Sequence, residues 1–157
     1  MSEIKQQSFE QSIPSIDAIK HVKGESVFTN DIPHTKDCLF AAVGWSEKAH
    51  AMIKSIDLRE VMKDPDVKAV VTANDIPGLN DCGAVYKGDP IFVKEKGVAN
   101  YQGQPLFGIA CTSRKAALKA IKKAKIKYKA FKPIVTIKEA LKKKSYIAKP
   151  TTVIKGK

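Results

Sequence analysis

The chain has 157 residues, a net charge of +12 and an apolar share of 43%, which suits one ordinary globular domain and hardly two. No apolar run approaches the roughly 18 residues that a membrane-spanning helix needs. The polar start, MSEIKQQSFEQS, lacks the apolar stretch of a secretory signal. We therefore expect a cytoplasmic protein that does not associate with a membrane.

The first half of the chain predicts strands separated by turns. Residues 1–15 predict a flexible N-terminal segment, and residues 20–33 predict an extended, turn-rich stretch. The apolar run at 38–43 (CLFAAV) predicts a buried strand. The alternation that starts at His50 predicts a second strand, which is a candidate partner for the first.

Asp57 is expected to end that second strand and to begin a short helix, with Glu60 at the capping-box spacing. Pro65 ends the helix, and residues 67–72 (VKAVVT) predict a third strand because they are rich in β-branched side chains. Residues 74–81 predict a loop, and a short edge strand is expected at 91–93.

The second half of the chain predicts two helices and two strands. Residues 106–111 (LFGIAC) predict a buried strand, and Ser113 is expected to cap the helix that follows. Residues 125–130 alternate lysine with Ile, Tyr and Ala, which predicts a half-exposed strand with a lysine face. Thr136 begins a last helix in capping-box form. Together these elements predict one α+β domain with a mixed β-sheet and about three short-to-medium helices.

The positive charge is concentrated in the C-terminal third. Residues 113–157 hold sixteen Lys or Arg and one acidic residue, whereas residues 1–112 hold twelve basic and fifteen acidic residues. Such asymmetry can mark a nucleic-acid surface. Nearly all of these residues are Lys, however, rather than the Arg that favours bidentate phosphate recognition, and no glycine-rich or aromatic-interleaved pattern accompanies them. We favour a solvated or partner-facing surface and expect no nucleic-acid binding.

Searches for catalytic and cofactor motifs return nothing specific. The chain has no G-x-G-x-x-G or P-loop pattern, no nucleophile elbow and no H-E-x-x-H. Its three cysteines and three histidines are scattered, which argues against a metal site. Two pairs of acids lie in loops beside proline, where turn formation is the usual role; these are Asp64 with Asp66 and Asp75 with Asp81. We predict no catalytic, cofactor-binding or metal-binding residue.

The most unusual polar motif is a turn made of Gln102, Gly103, Gln104 and Pro105. A glutamine pair in an apolar context can hydrogen-bond a ligand or a neighbouring domain. It can equally belong to a tight turn that leads into a buried strand, with Gly103 at a position where a positive φ costs little. We therefore regard these four residues as a candidate contact with another domain or subunit.

Five segments, in order, resemble the large subunits of the xanthine dehydrogenase and aldehyde oxidase family. Residues 24–33 (GESVFTNDIP) are similar to its G-x-A-x-Y-x-x-D-I-P, and residues 46–57 (SEKAHAMIKSID) to S-x-x-A-H-A-x-I-x-x-I-D. Residues 65–77 (PDVKAVVTANDIP) resemble P-G-V-x-x-V-x-T-A-x-D-I-P. Residues 101–105 match Y-x-G-Q-P, and the alanine-rich helix with residues 126–128 matches A-A-x-x-V-x-V-x-Y. Phe28 and Asn30 depart mildly from the usual Tyr and Asp.

The resemblance implies an α/β hammerhead domain at 16–145, followed by an extended tail at 146–157 that leads to an absent molybdopterin-binding domain. It is closest to the molybdopterin-binding subunit of bacterial xanthine dehydrogenases. The complete enzyme it implies hydroxylates purines at a molybdenum–molybdopterin centre and passes electrons through 2Fe-2S clusters to FAD and NAD. The pterin contacts and the catalytic glutamate of the family lie beyond the hammerhead.

No functional residue of the family can therefore be placed in this chain, which alone is expected to bind no cofactor and to be inactive. The implied partners are the remaining molybdopterin-binding domains and the iron–sulfur/FAD subunit. Two alternatives remain, both using the lysine-rich C-terminal third: a small basic binding module and a stand-alone scaffold.

Overall fold

The computed structural model of the chain describes residues 15–85, 87–148 and 152–156. The chain divides into two compact units, residues 1–38 and residues 39–157. The segment expected to be flexible, residues 1–15, lies outside the described residues except for Ser15. No helix among the described residues is long and apolar enough to cross a membrane.

The first unit contains a helix where an extended stretch was expected. Helix α1 (Ala18–Lys23) ends at Gly24, which has a φ of 70°. The Gly24 amide donates to the His21 carbonyl at 3.1 Å, a common way to close a helix with a left-handed glycine. A 3-10 turn follows at Thr29–Asp31. The glycine that was interpreted as a turn signal is therefore the stop of a helix.

The strands all lie in the second unit and form two three-stranded sheets. In chain order they are β1 (Phe40–Trp45), β2 (Ala51–Asp57), β3 (Val67–Thr72), β4 (Val98–Ala99), β5 (Pro105–Cys111) and β6 (Lys125–Ala130). The first sheet has the order β1-β5-β3 and the second the order β4-β2-β6. Every described strand pair is antiparallel.

This arrangement confirms the α+β class and corrects the detail of the sheet. The expected single mixed sheet is instead two antiparallel sheets. Strand β2 pairs with β4 and β6 rather than with its sequence neighbour β1. An apolar pattern predicts that a strand exists, but the partner depends on contacts that are distant in sequence.

The short edge strand expected at 91–93 does not form. The side-chain amide of Asn80 occupies the Phe92 backbone instead: its Oδ1 accepts from the Phe92 amide at 3.0 Å, and its Nδ2 donates to the Phe92 carbonyl at 2.7 Å. One asparagine thus supplies both bonds that a neighbouring strand would have made, and the short strand β4 forms a few residues later.

The remaining helices are short and begin where the polar residues predict. They are α2 (Arg59–Met62), α3 (Arg114–Ala120) and α4 (Ile137–Lys142). Ser113 Oγ accepts from the Ala116 amide at 3.2 Å, and Thr136 Oγ1 accepts from the Glu139 amide at 3.2 Å, so both expected caps are confirmed.

The capping boxes expected at two of these helices are incomplete. The carboxylates of Glu60 and Glu139 each pair with a lysine of their own helix, at 3.0 Å in both cases, rather than reaching back to the start of the helix. Asp57 does accept from the Arg59 amide, at 3.1 Å.

The core of the second unit is built around β5, the central strand of the first sheet. Leu106, Phe107, Ile109 and Cys111 are all buried. They pack in one cluster with buried side chains of both sheets and the helices, among them Ile53, Val61, Ala117 and Ala120. Gly44 of β1 lies directly against the ring of Phe107, so that a Cβ at this position would overlap the ring atoms.

Replacing Gly44 with alanine is expected to destabilise the fold by about 1–3 kcal/mol, because the added methyl overpacks a buried ring. Urea denaturation of the 157-residue chain measures the change. Gly78→Ala is the matched control, since nothing lies within 4 Å of a Cβ there, and it is expected to change stability by less than about 0.5 kcal/mol. Equal stability of the two variants would contradict the close packing at Gly44.

Candidate docking site

The turn between β4 and β5 is fastened to the end of β1. The Ser46 amide donates to the Gln104 carbonyl at 2.8 Å, and the Gly103 amide donates to the Ser46 carbonyl at 2.8 Å. Gly103 has a φ of 91°, as its place in the turn predicts. This left-handed residue lets the chain reverse and present both backbone bonds to Ser46.

The two glutamines of the turn have opposite environments. Gln104 is only 1% exposed, and its Oε1 accepts from the Asn100 amide at 2.7 Å. Gln102 and Gly103 are exposed. Gln104 therefore holds the turn from inside, and Gln102 is the glutamine that can reach another molecule.

Pro105 belongs to the scaffold more than to the surface. It is half-buried as the first residue of β5, and its carbonyl accepts from the Val93 amide at 2.9 Å. Of the four candidate residues, the exposed pair is contiguous and the other two support it.

Ser46 is a buried polar residue that the sequence analysis did not single out. It is fully buried, and its Oγ donates to the Lys48 carbonyl at 2.9 Å and accepts from the Lys48 amide at 3.2 Å. A serine directly after an apolar strand is a recognisable signal for such a local turn, although the sequence does not reveal its bonds to residues 103 and 104.

A shallow groove runs beside the exposed part of the turn. Gln102 and Gly103 lie on one side and Trp45, which is 55% exposed, on the other. The remaining lining includes the half-buried Ile121, Ala124 and Ile126, together with Lys122. The groove thus combines an aromatic ring, apolar side chains and an amide at the surface.

The lysine face expected in the C-terminal third is present on β6. This strand lies at the edge of the second sheet, and Lys125, Lys127 and Lys129 are exposed while Ile126 and Tyr128 are half-buried. Neither Lys127 nor Lys129 forms an ion pair within 4 Å among the described residues. These two cations are consequently available to acidic groups of another molecule.

Lys125 has an acidic neighbour, because it lies opposite Asp57 in the register of β2 and β6. The closer partner of Asp57 is Arg59, whose Nη2 is 2.7 Å from its carboxylate. The hydrogen bond from the Arg59 side chain is the main reason why the pKa of Asp57 lies far below its usual range, and Lys125 adds a smaller effect.

The four loop acids are used within the domain, which confirms their interpretation as turn formers. Asp64 pairs with Lys123 at 2.8 Å, and Asp66 accepts from Thr112 Oγ1 at 2.7 Å. Asp75 accepts from the amide and hydroxyl of Thr72, and Asp81 from the Gly83 and Gly88 amides. These hydrogen bonds lower the pKa of three of the carboxyl groups, Asp64, Asp75 and Asp81.

The donor groups of the described residues do not fit the molybdenum centre that the resemblance implies. Among them, no three His, Cys, Asp or Glu side chains are grouped so that they could hold a metal ion. The thiol of Cys111 is buried in the core, and burial raises its pKa, which disfavours the thiolate that binds metals. We assign no chemical step to these residues.

Comparison with known proteins identifies the family. Residues 23–132 match the family model described as "Aldehyde oxidase and xanthine dehydrogenase, a/b hammerhead domain". This match covers more than half of the chain. The chain belongs to the aldehyde oxidase and xanthine dehydrogenase family, and its fold is the hammerhead domain of that family.

Relatives include enzymes named for different substrates. The chain is 38% identical over 136 residues to a xanthine dehydrogenase of Dictyostelium discoideum, a match that covers 87% of this chain and 10% of that protein. It is 37% identical over 136 residues to aldehyde oxidase 2 of Macaca fascicularis, covering 86% and 10%. The chain thus spans about a tenth of the length of these relatives.

A solved structure supports the same assignment. The aldehyde oxidoreductase of Desulfovibrio desulfuricans matches with a TM-score of 0.70 and 28% identity, over 83% of this chain and 15% of that one. Similarity to large oxidoreductases over most of this chain disfavours a stand-alone basic module.

The opposite environments of the two glutamines predict opposite effects of substitution. Gln104→Ala is expected to destabilise the chain by about 1–3 kcal/mol, because it leaves the Asn100 amide without its acceptor. Gln102→Ala, the matched control in the same turn, should change stability by less than about 0.5 kcal/mol. Chemical denaturation of both variants tests this, and a larger loss at Gln102 would refute the assignment of roles.

The ion pair between Asp64 and Lys123 predicts a pH-dependent contribution to stability. The pKa of Asp64 is lowered in the folded chain, first by the Lys123 side chain. Its contribution is therefore present above the unfolded aspartate pKa of about 3.9 and is lost as the pH falls through the lower folded value. Asp64→Asn should lower the melting temperature at pH 7, and the gap to the parent should close in acid. A gap that is constant from pH 7 to pH 2.5 would contradict the pairing.

Proposed function

We propose that this chain is the non-catalytic N-terminal hammerhead domain of the molybdenum-binding subunit of a xanthine dehydrogenase. The complete enzyme would oxidise hypoxanthine and xanthine to urate. The observation that carries this proposal is the match of nearly the whole chain to only about a tenth of much longer oxidoreductases. The internal use of the loop carboxylates and of Gln104 supports a structural role.

The cofactors of the complete enzyme would be held by its other parts. A molybdenum–molybdopterin centre would supply the hydroxylation chemistry, and 2Fe-2S clusters, FAD and NAD would carry the electrons. The partners of this domain would be the remaining molybdopterin-binding domains and the iron–sulfur/FAD subunit. The enzyme would be cytoplasmic and heteromeric.

Two surfaces are proposed to face those partners. One is the exposed part of the turn, Gln102 and Gly103, which Gln104 and Pro105 position from below. The other is the lysine face of β6, whose unpaired cations Lys127 and Lys129 suit acidic groups. We retain domain limits of 16–145 for the hammerhead and 146–157 for the tail as a proposal.

Purine specificity is the least constrained part of this proposal, since an aldehyde oxidase is nearly as similar as a xanthine dehydrogenase. The complete enzyme is expected to have a higher kcat/KM for xanthine and hypoxanthine than for an aromatic aldehyde such as benzaldehyde. The isolated chain should turn over none of them.

Steady-state assays of the purified enzyme and of the isolated chain test both statements. Preference for the aldehyde would move the enzyme to the aldehyde oxidase side of the family. Robust activity of the isolated chain would sink the proposal of a non-catalytic domain.

A further inference from the structure

The C-terminal segment, defined as residues 133–148 and 152–156, exposes an unusual number of apolar side chains. Ile137 is 80% exposed and Leu141 is 59% exposed. The other exposed large apolar residues of the segment are Val135, Tyr146, Ile147, Val153 and Ile154. A single exposed apolar residue needs no explanation, but a run of them marks an interaction surface.

Helix α4 gives part of this segment a defined shape. Ile137 and Leu141 are four residues apart and therefore lie on one face of the helix. Glu139 and Lys143 form an ion pair of 3.0 Å between their side chains, which also lie four residues apart on a second face. The helix is amphipathic, yet none of its residues is buried.

Both ends of α4 are formed by local hydrogen bonds. Thr136 caps the start, and at the other end Lys144 has a φ of 52° while the Ser145 amide donates to the Ala140 carbonyl at 2.9 Å. A helix of six residues is too short to be stable in water by itself. Such a helix normally gains its stability by packing its apolar face against another element, and the described part of the chain does not bury that face.

The position of the segment indicates what covers it. The match to the hammerhead family ends at residue 132, immediately before the segment begins. The relatives are about ten times longer than the chain, so most of such an enzyme lies outside the region compared. The covering surface is consequently to be sought in the same enzyme.

The charge around the apolar face describes that surface further. Residues 132–148 contain five lysines, Lys132, Lys138, Lys142, Lys143 and Lys144, against one acidic residue, Glu139. A complementary surface is apolar where it meets Ile137 and Leu141, and acidic at the rim where it meets the lysines.

We propose that the C-terminal segment is a strap, in which α4 docks through Ile137 and Leu141 into an apolar groove with an acidic rim on the molybdopterin-binding part of the same enzyme. This inference rests on the proposed function, because it requires that part to be present. The hammerhead proper then ends near residue 132, and α4 belongs energetically to the neighbouring domain.

Limited trypsin digestion of the complete enzyme tests the proposal, because Lys142, Lys143 and Lys144 at the end of α4 are cleavage sites. In the parent enzyme, cleavage there is expected to be slow compared with cleavage at Lys87, an exposed lysine in a loop. Ile137→Asp with Leu141→Asp should accelerate cleavage at 142–144 at least about tenfold, since native-state proteolysis follows the population of the undocked form.

Ile137→Leu with Leu141→Met is the matched control, which keeps the face apolar and should leave the rate unchanged. Cleavage at Lys87 serves as the folding reference, because α4 contributes no buried residue to the hammerhead core.

The proposal is overturned if the parent is cut at 142–144 as fast as at Lys87, or if the aspartate variant is cut no faster than the parent. Protection that rises with enzyme concentration would instead place a second copy on the helix, and would likewise overturn it. Purine oxidation by the parent enzyme is measured separately, so a failure of the strap is distinguishable from a failure of the proposed function.

Discussion

The joint between Ser46 and the turn at residues 103–104 is the interaction on which the rest of the second unit depends. Two backbone hydrogen bonds of 2.8 Å link Ser46 to Gly103 and Gln104. The buried side chain of Gln104 then reaches the Asn100 amide, next to β4. Because β1 and β5 belong to the first sheet and β4 to the second, this small polar cluster connects the two sheets. A buried amide is costly when unpaired, so the cluster is stable only when all of these bonds are made together.

The same joint explains why the polar residues of the domain contribute little to chemistry. Gln104, Ser46, Asn80 and the loop carboxylates spend their hydrogen-bonding capacity on the backbone or on a nearby side chain. The groups that remain at the surface are an exposed glutamine, an exposed tryptophan and a lysine-bearing edge strand. Such a distribution is typical of a domain that positions and contacts other domains, which agrees with membership of a family of much larger oxidoreductases.

Local signals in the sequence predicted much of the fold. The β-branched run at 67–72 and the apolar run at 106–111 are strands, and Ser113 and Thr136 cap helices as their positions predict. The positive φ of Gly103 also followed from its turn. These features depend on a few neighbouring residues, so a single sequence contains the information for them.

Features that depend on distant contacts could not be predicted in the same way. The partners of β2, the division into two sheets and the loss of a strand at 91–93 all follow from pairing across the fold. The burial of Gln104 beside an exposed Gln102 belongs to the same class, because two glutamines separated by one residue look alike in sequence. Only the family resemblance, carried by five ordered motifs, reached as far as the function of the whole.

The central claim is that Gln104 holds the turn from within while the surface above it faces the remainder of a larger enzyme. Hydrogen–deuterium exchange of this chain, alone and within the complete enzyme, tests it most directly. The amides of Ser46 and Asn100, which donate to residue 104, should be protected in both states. The amides of Gln102 and of β6, an edge strand, should gain protection only in the complete enzyme. Unchanged exchange at Gln102 and β6 on assembly would contradict the account.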